Sequence, residues 1–253
     1  MKLLSFALLL CSLGNCCLAE EIKAEPSPRL HKVVAEQNGR KITITFVIFS
    51  DKDFLIHVID NAEANDAAKF LNLASAMESN GCVAGCNGGF FNRKPFDPIG
   101  GMISAGQQTS AIDLNSWMKG LLVVRSGQPA LIATDSFQPT PDTTDLLQSG
   151  TWLVRAGQPE TDSSRTQMAR RTFICHNGKG VWAIGVSERC TLLELATILK
   201  SPEITTVLDI QEALNFDGGP STGLWLKQSP ENFYLPEKWA VRNYIGIVPR
   251  STQ

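Results

Sequence analysis

The residues Ala213-Leu214-Asn215-Phe216 form a short apolar run that ends on Asp217 and passes at once into Gly218-Gly219-Pro220-Ser221-Thr222. A strand end holds a carboxylate rigidly, and a diglycine turn lets backbone N–H groups approach a ligand closely. The same design occurs upstream in Val83-Ala84-Gly85-Cys86-Asn87-Gly88-Gly89-Phe90-Phe91. Between the two lies Arg170-Arg171-Thr172, and an arginine can hold an oxyanion bidentately. One glycine turn is ordinary punctuation. Two of them with an arginine pair make a constellation suited to an anionic substrate and carboxylate chemistry. Each member also has a plainer reading. Asp217 can cap its own turn, and Asn87 can tolerate positive φ. Ser221 can cap the following turn, and Arg171 can make a surface ion pair of little worth. His57 and His176 read as structural or exposed.

The elements that must position these residues are mostly strands. Lys41–Phe49 and Phe54–Asp60 are β-branched and aromatic and read as adjacent strands across the Ser50-Asp51-Lys52-Asp53 turn. Ala67–Met77 carries a helical apolar stripe that Asn80-Gly81 stops. Gly120–Val124, Ala130–Ala133 and Thr151–Val154 read as strands, with Ser126-Gly127-Gln128-Pro129 and Ala156-Gly157-Gln158-Pro159 as matching hairpin turns. Pro139–Asp145 reads as a loop. Asn177-Gly178 makes a hairpin of Arg171–Cys175 and Gly180–Val186. Thr191 and Glu194 form a capping box for a helix to about Lys200, and Asn243–Val248 is a closing strand. The class is α+β, a single domain of largely antiparallel or mixed β-sheets with a few packed helices.

The chain has 253 residues, 43% hydrophobic and 19% charged, enough for one domain with a full core. Met1-Lys2 followed by the apolar Leu3–Leu10 and small residues to Ala19 reads as a secretory signal peptide over 1–19. Residues 20–34 read as a flexible lead-in and 35–250 as the domain. The expected location is exported, periplasmic or secreted. A lipoprotein modified at Cys16 or Cys17 ranks second, because Asn15 is a poor residue before such a cysteine. Removing Lys2 takes 23 basic residues to 22 against 25 acidic, a net of −3. With no basic run, nucleic-acid binding has no electrostatic footprint. No stretch beyond the leader is long and apolar enough to span a membrane. Four cysteines lie beyond the leader, Cys82, Cys86, Cys175 and Cys190, and an even number in an exported chain predicts two disulfides. The sequence does not choose a pairing; local pairs, Cys82–Cys86 and Cys175–Cys190, are the first expectation. A metal site is the weaker alternative, and the residues call for no metal or cofactor.

Four blocks in order resemble the phosphodiester glycosidase family. They are Asn87-Gly88-Gly89-Phe90-Phe91; Leu147-Gln148-Ser149-Gly150 with Leu153-Val154 and Gly157; Arg171-Thr172; and Leu214 through Thr222. The resemblance spans roughly residues 35–249. It implies a hydrolase that cleaves between a sugar's anomeric carbon and phosphate, with a carbohydrate phosphodiester as substrate and N-acetylglucosamine as a candidate sugar. It assigns catalysis to Asp217 and Arg171, and substrate contacts to Asn87, Gly88, Gly89, Thr172, Gly218, Gly219 and Ser221. Trp225, close after the turn, is a candidate for stacking on a sugar ring. Pro220 stands where the family has a third glycine, which removes an N–H from the turn. That departure favours the alternative of a non-catalytic carbohydrate or sugar-phosphate binding protein of the cell envelope. The sequence leaves the oligomeric state open.

Overall fold

The computed structural model describes residues 27–63, 67–160 and 166–251. The leader read over 1–19 lies outside the described residues. In chain order the elements are β1 (Arg29–Gln37), β2 (Arg40–Ser50), β3 (Phe54–Asp60), α1 (Leu73–Ser79), β4 (Ala84–Asn87), β5 (Met102–Ser104) and β6 (Gln107–Ser110). Next come β7 (Gly120–Arg125), β8 (Gln128–Ala133), β9 (Thr143–Ser149), β10 (Trp152–Arg155), β11 (Gln158–Pro159), β12 (Ala169–His176) and β13 (Val181–Cys190). The chain closes with α2 (Leu192–Leu199), α3 (Pro202–Thr205), β14 (Glu212–Asn215), β15 (Leu224–Leu226), β16 (Phe233–Leu235) and β17 (Asn243–Pro249).

The described residues form three antiparallel sheets. The first runs β1-β2-β13-β12-β14-β10-β11, the second β16-β15-β4-β17-β3, and the third β6-β5-β9-β7-β8. Side-chain alternation divides the first sheet's two faces between two cores. Val47, Ile174, Ile184, Leu214 and Phe216 face the second and third sheets, meeting Ile56, Cys86, Leu122, Leu147 and Ile245. Ile42, Ile44, Phe173, Cys175 and Ala183 face the helices, meeting Leu195, Ile198, Leu199 and Ile204. On the far side of the second sheet, α1 packs Leu73, Ala76 and Met77 against Ile59, Trp225 and Tyr244. The third sheet is tied to the second through Asp145, a carboxylate with 1% exposure. Its Oδ1 accepts the Val58 N–H at 2.8 Å, and Ser104 Oγ donates to the Val58 carbonyl at 2.7 Å. These two side chains satisfy the free edge of β3, where a strand would otherwise expose unpaired backbone groups.

Local signals explain most elements. In the β7–β8 and β10–β11 hairpins both turn residues have positive φ, Ser126 (47°) with Gly127 (74°) and Ala156 (47°) with Gly157 (75°). Positive φ at both positions is the type I′ geometry that matches strand twist. Thr191 and Glu194 close the capping box at the head of α2. Other expectations need correction. The strands β2 and β3 do not pair: β2 joins β1 and β13, and β3 joins β17, so the Ser50–Asp53 turn carries the chain between sheets. The strand β1 starts at Arg29, inside the lead-in read over 20–34, because its alternation is hidden among charged residues. The helix begins at Leu73, where Asn72 caps it, and Leu71 is left 86% exposed. β9 takes Thr143–Asp145 from what reads as a loop.

The expected disulfides are absent. Cys82, Cys86, Cys175 and Cys190 are free and buried. Cys82 packs with Ile59 and Tyr244 on the α1 side of the second sheet, whereas Cys86 faces the central core. Cys175 lies opposite Ala183 and Cys190 opposite Ala169, at the two ends of one hairpin. Six strand residues span about 20 Å, against the roughly 4.4–6.8 Å between Cα atoms that a disulfide needs. Even counting in the sequence cannot see this. Burial pushes the Cys82 thiol up to about 12 and raises the Cys86 and Cys175 thiols as well, so all behave as small apolar side chains. Adding a reductant therefore leaves the thermal midpoint of the purified protein unchanged. A fall of several degrees on reduction would show a cross-link that this packing does not contain.

Candidate functional site

The Asp217 turn is held between two sheets. β14 pairs with β12 in the register Phe173↔Asn215. The ladder continues one step, with Phe216 N–H donating to the Thr172 carbonyl at 2.8 Å. That register sets Asp217 across from Arg171, on the same face of the sheet. On its other side Asp217 N–H donates to the Gly88 carbonyl at 3.1 Å. The two strand–Gly–Gly segments thus meet backbone to backbone, and the Arg-Thr segment runs beside them.

Close approach explains the glycines. A Cβ on Gly218 would sit 2.6 Å from the Arg170 carbonyl oxygen, and one on Gly88 would sit 2.1 Å from Asn243 Oδ1. Gly219 has φ of +61°, in the left-handed region that side chains resist. Pro220 occupies the middle of the short 3-10 turn Gly219–Ser221, where its fixed φ suits the bend.

The Asp217 carboxylate accepts the Gly218 N–H at 2.8 Å and a hydrogen bond from the Ser221 hydroxyl. Burial raises its pKa above the ordinary carboxylate range, and these two donors pull it partly back. A carboxyl group tuned this way suits proton transfer or charge stabilisation.

The supporting residues divide differently from the sequence expectation. Asn87 is fully buried. Its Nδ2 donates to the Asp217 carbonyl at 2.7 Å, and its Oδ1 accepts from Thr172 Oγ1 at 2.7 Å and from Gly223 N–H at 3.1 Å. Both Asn87 and Thr172, expected to touch substrate, bond to protein partners here and position the turn. Arg171 is also buried. Its Nε donates to the Cys190 carbonyl at 3.1 Å and its Nη2 to the Gln167 carbonyl, so its guanidinium leans away from Asp217 towards the end of β13. Burial lowers its pKa without discharging it. Arg170, which the sequence ranks below it, clamps the turn by donating to the Gly219 carbonyl at 3.4 Å and the Thr222 carbonyl at 2.7 Å. Arg170 also lines a groove of about 230 Å³ with Lys32, Thr45, Ser187, Thr222 and Phe233. Trp225, read as a sugar-stacking candidate, is 2% exposed and belongs to the core beneath α1.

Several residues of the site escape sequence reading. Asn243 accepts the Gly89 N–H on Oδ1 at 2.7 Å and the Gly88 N–H on its carbonyl at 3.0 Å. Its one signal is a polar residue opening an otherwise apolar strand. Asn215 donates Nδ2 to the Gly150 carbonyl at 3.0 Å, and Ser149 Oγ donates to the Asn215 carbonyl at 2.8 Å. Asn215 Oδ1, Thr222 Oγ1 and Asn243 Nδ2 are buried without a hydrogen-bond partner among the described residues. Buried polar atoms are rarely left so, and these three lie on residues that surround the Asp217 turn. No three His, Cys, Asp or Glu side chains cluster as a metal site among the described residues.

The architecture is mostly antiparallel β-sheet with a few short helices, and its strand-end carboxylate sits at the junction of two glycine turns. Solved structures share that fold. The catalytic domain of zebrafish N-acetylglucosamine-1-phosphodiester alpha-N-acetylglucosaminidase, auto-inhibited by its pro-peptide, superposes with a TM-score of 0.67 at 16% identity, over 91% of this chain and 85% of that one. A hypothetical protein from Synechocystis superposes with a TM-score of 0.62 at 15% identity, over 88% of this chain and 62% of that one. No curated protein matches in sequence. Residues 80–248 match the phosphodiester glycosidase family, and the chain belongs to it. The family is one of hydrolases, which supports a glycosidase-type function for the chain.

Proposed function

We propose that the protein hydrolyses the bond between a sugar's anomeric carbon and phosphate in a glycosyl-1-phosphodiester. The observation that carries this reading is the meeting of Asp217, Gly88 and the Arg170-Arg171-Thr172 segment, all within the matched stretch. Phosphate is a good leaving group, so the demand on a general acid is lighter than in ordinary glycosidases. What the reaction needs is cationic and N–H contact to the phosphate and a carboxylate for the sugar or the water. Asp217 supplies the carboxylate, as base, nucleophile or stabiliser of positive charge. Arg171 supplies positive charge beside the turn, and Gly219 offers its N–H to the anion, since the N–H groups of Gly88, Gly89 and Gly218 are taken by Asn243 and Asp217. Arg170 holds the turn in place. The leader extends the reading to an exported hydrolase whose mature chain starts after Ala19.

The test is release of free sugar from a panel of α- and β-glycosyl-1-phosphodiesters, N-acetylglucosaminyl among them. Release that depends on Asp217 and Arg171 supports the hydrolase and gives the anomer. Tight binding of one member with no release from any would make the protein a sugar-phosphate binder, in line with the N–H lost at Pro220.

A further inference from the structure

We propose that the Phe90–Trp117 aromatic pair is the surface on which the sugar ring of the substrate stacks, an inference that rests on the glycosidase reading above. Two routes through the structure lead from Asp217 to this pair. The first runs along the backbone. Asp217 N–H is bonded to the Gly88 carbonyl, and Phe90 follows two residues later. Two residues span at most about 7 Å and paired strands lie about 5 Å apart, so the Phe90 Cα is within about 12 Å of that of Asp217. The second runs through side chains. Asn215 shares a sheet face with Asp217, two residues on. Its Nδ2 holds the Gly150 carbonyl, and a Cβ on Gly150 would lie 3.0 Å from the Met118 Cα. Trp117 is the next residue, and its ring meets that of Phe90 edge-on, with centroids 4.9 Å apart and planes at 73°.

The pair is firmly held. Gln148, fully buried, accepts the N–H groups of Gly101 and Asp113 on Oε1 at 2.8 and 2.9 Å. It donates Nε2 to the carbonyls of Asp113 and Met118 at 2.8 and 2.9 Å. That anchors both ends of the segment that carries Trp117. The Trp117 side nevertheless remains 42% exposed, and Ile99 (39%) and Leu114 (62%) are exposed on the same two segments. Ile99 N–H bonds to the Phe90 carbonyl at 2.8 Å. Three partly exposed apolar side chains on two adjoining segments offer an apolar surface near the Asp217 turn. A pyranose ring has an apolar C–H face and a rim of hydroxyls, and a rigid aromatic face with polar groups nearby matches both. Trp225, buried in the core, cannot do this.

The experiment compares the parent with Trp117→Ala and Trp117→Phe on the methyl phosphodiester of α-N-acetylglucosaminyl 1-phosphate. Dimethyl phosphate, which has no ring, serves as a competing anion. The expected result is a KM raised about tenfold in Trp117→Ala, kcat within about threefold, recovery of most of the loss in Trp117→Phe, and unchanged inhibition by dimethyl phosphate. An unchanged KM overturns the proposal, as does a parallel loss of dimethyl phosphate inhibition, which would mean that the whole site had shifted. If the parent hydrolyses no diester, saturation-transfer NMR with methyl N-acetyl-α-glucosaminide separates the two claims. Binding that Trp117→Ala abolishes keeps the stacking surface and rejects the hydrolase, whereas no saccharide binding rejects the stacking surface too.

Discussion

Asp217→Asn lowers kcat by about three orders of magnitude and leaves the affinity for a phosphodiester within a few-fold, as removal of a positioned acid–base or charge-stabilising carboxylate does. The amide keeps the shape and the bond from Gly218 N–H, so the turn holds. The pH dependence gives a sharper check. Burial raises the pKa of Asp217. If it works as the carboxylate, activity falls as pH drops through that raised value, so the acid limb of the kcat profile lies above the usual carboxylate range. Ser221→Ala removes a donor that favours the charged form, and the limb moves to higher pH. Stability moves the other way. A carboxyl with a raised folded-state pKa contributes stability that is fully present below the unfolded value, near 4, and is lost as pH rises through the folded value. Asp217→Asn is therefore more heat-stable than the parent at neutral pH, and the difference vanishes in acid. Equal activity in parent and variant, or an acid limb indifferent to Ser221→Ala, would remove Asp217 from the chemistry.

The sequence carries many of the strands, several hairpins and the two glycine turns, because period-two alternation, Gly-bearing turns and capping boxes are local signals. The turns at Ser126-Gly127 and Ala156-Gly157 are legible through their glycines, which take the positive φ of the second turn position without strain. What it does not carry is which strands pair. The β2 and β3 strands are joined by four residues yet belong to different sheets, since the alternation that buries Val47 and Ile56 in one shared core fits two facing sheets as well as one hairpin. The arginine pair fails for a related reason. Arg170 and Arg171 point to opposite faces of β12, and only the position of β13 decides which guanidinium is drawn off to the Cys190 carbonyl. Four cysteines read as disulfides because counting them ignores that Cys82 and Cys86 face different cores and that Cys175 and Cys190 lie at opposite ends of a hairpin. Trp117 and Trp225 look alike in sequence, and only burial separates them.

Asn87→Ala is expected to be the most damaging single change near the site, at about 3–5 kcal/mol of folding stability and a fall of roughly 10 °C in the thermal midpoint. The loss is large because the amide has no spare capacity. Removing it strands the Thr172 hydroxyl, the Gly223 N–H and the Asp217 carbonyl in a buried place and leaves a cavity as well. Thr172→Val costs less, because Asn87 Oδ1 keeps its bond from Gly223. If the two side chains act as one unit, the double variant falls short of the sum of the single losses by 1 kcal/mol or more, and denaturant unfolding of the four proteins measures it. Asn87→Asp separates packing from positioning. A carboxylate still accepts from Thr172 and Gly223 but offers no donor to the Asp217 carbonyl, and it brings a second negative charge towards the first. That charge raises the Asp217 pKa further, so Asn87→Asp loses activity out of proportion to its loss of stability and its acid limb moves to higher pH. Losses that simply add, or an Asn87→Asp variant with normal pH behaviour, would mean that Asn87 fills space and leaves the carboxylate to other supports.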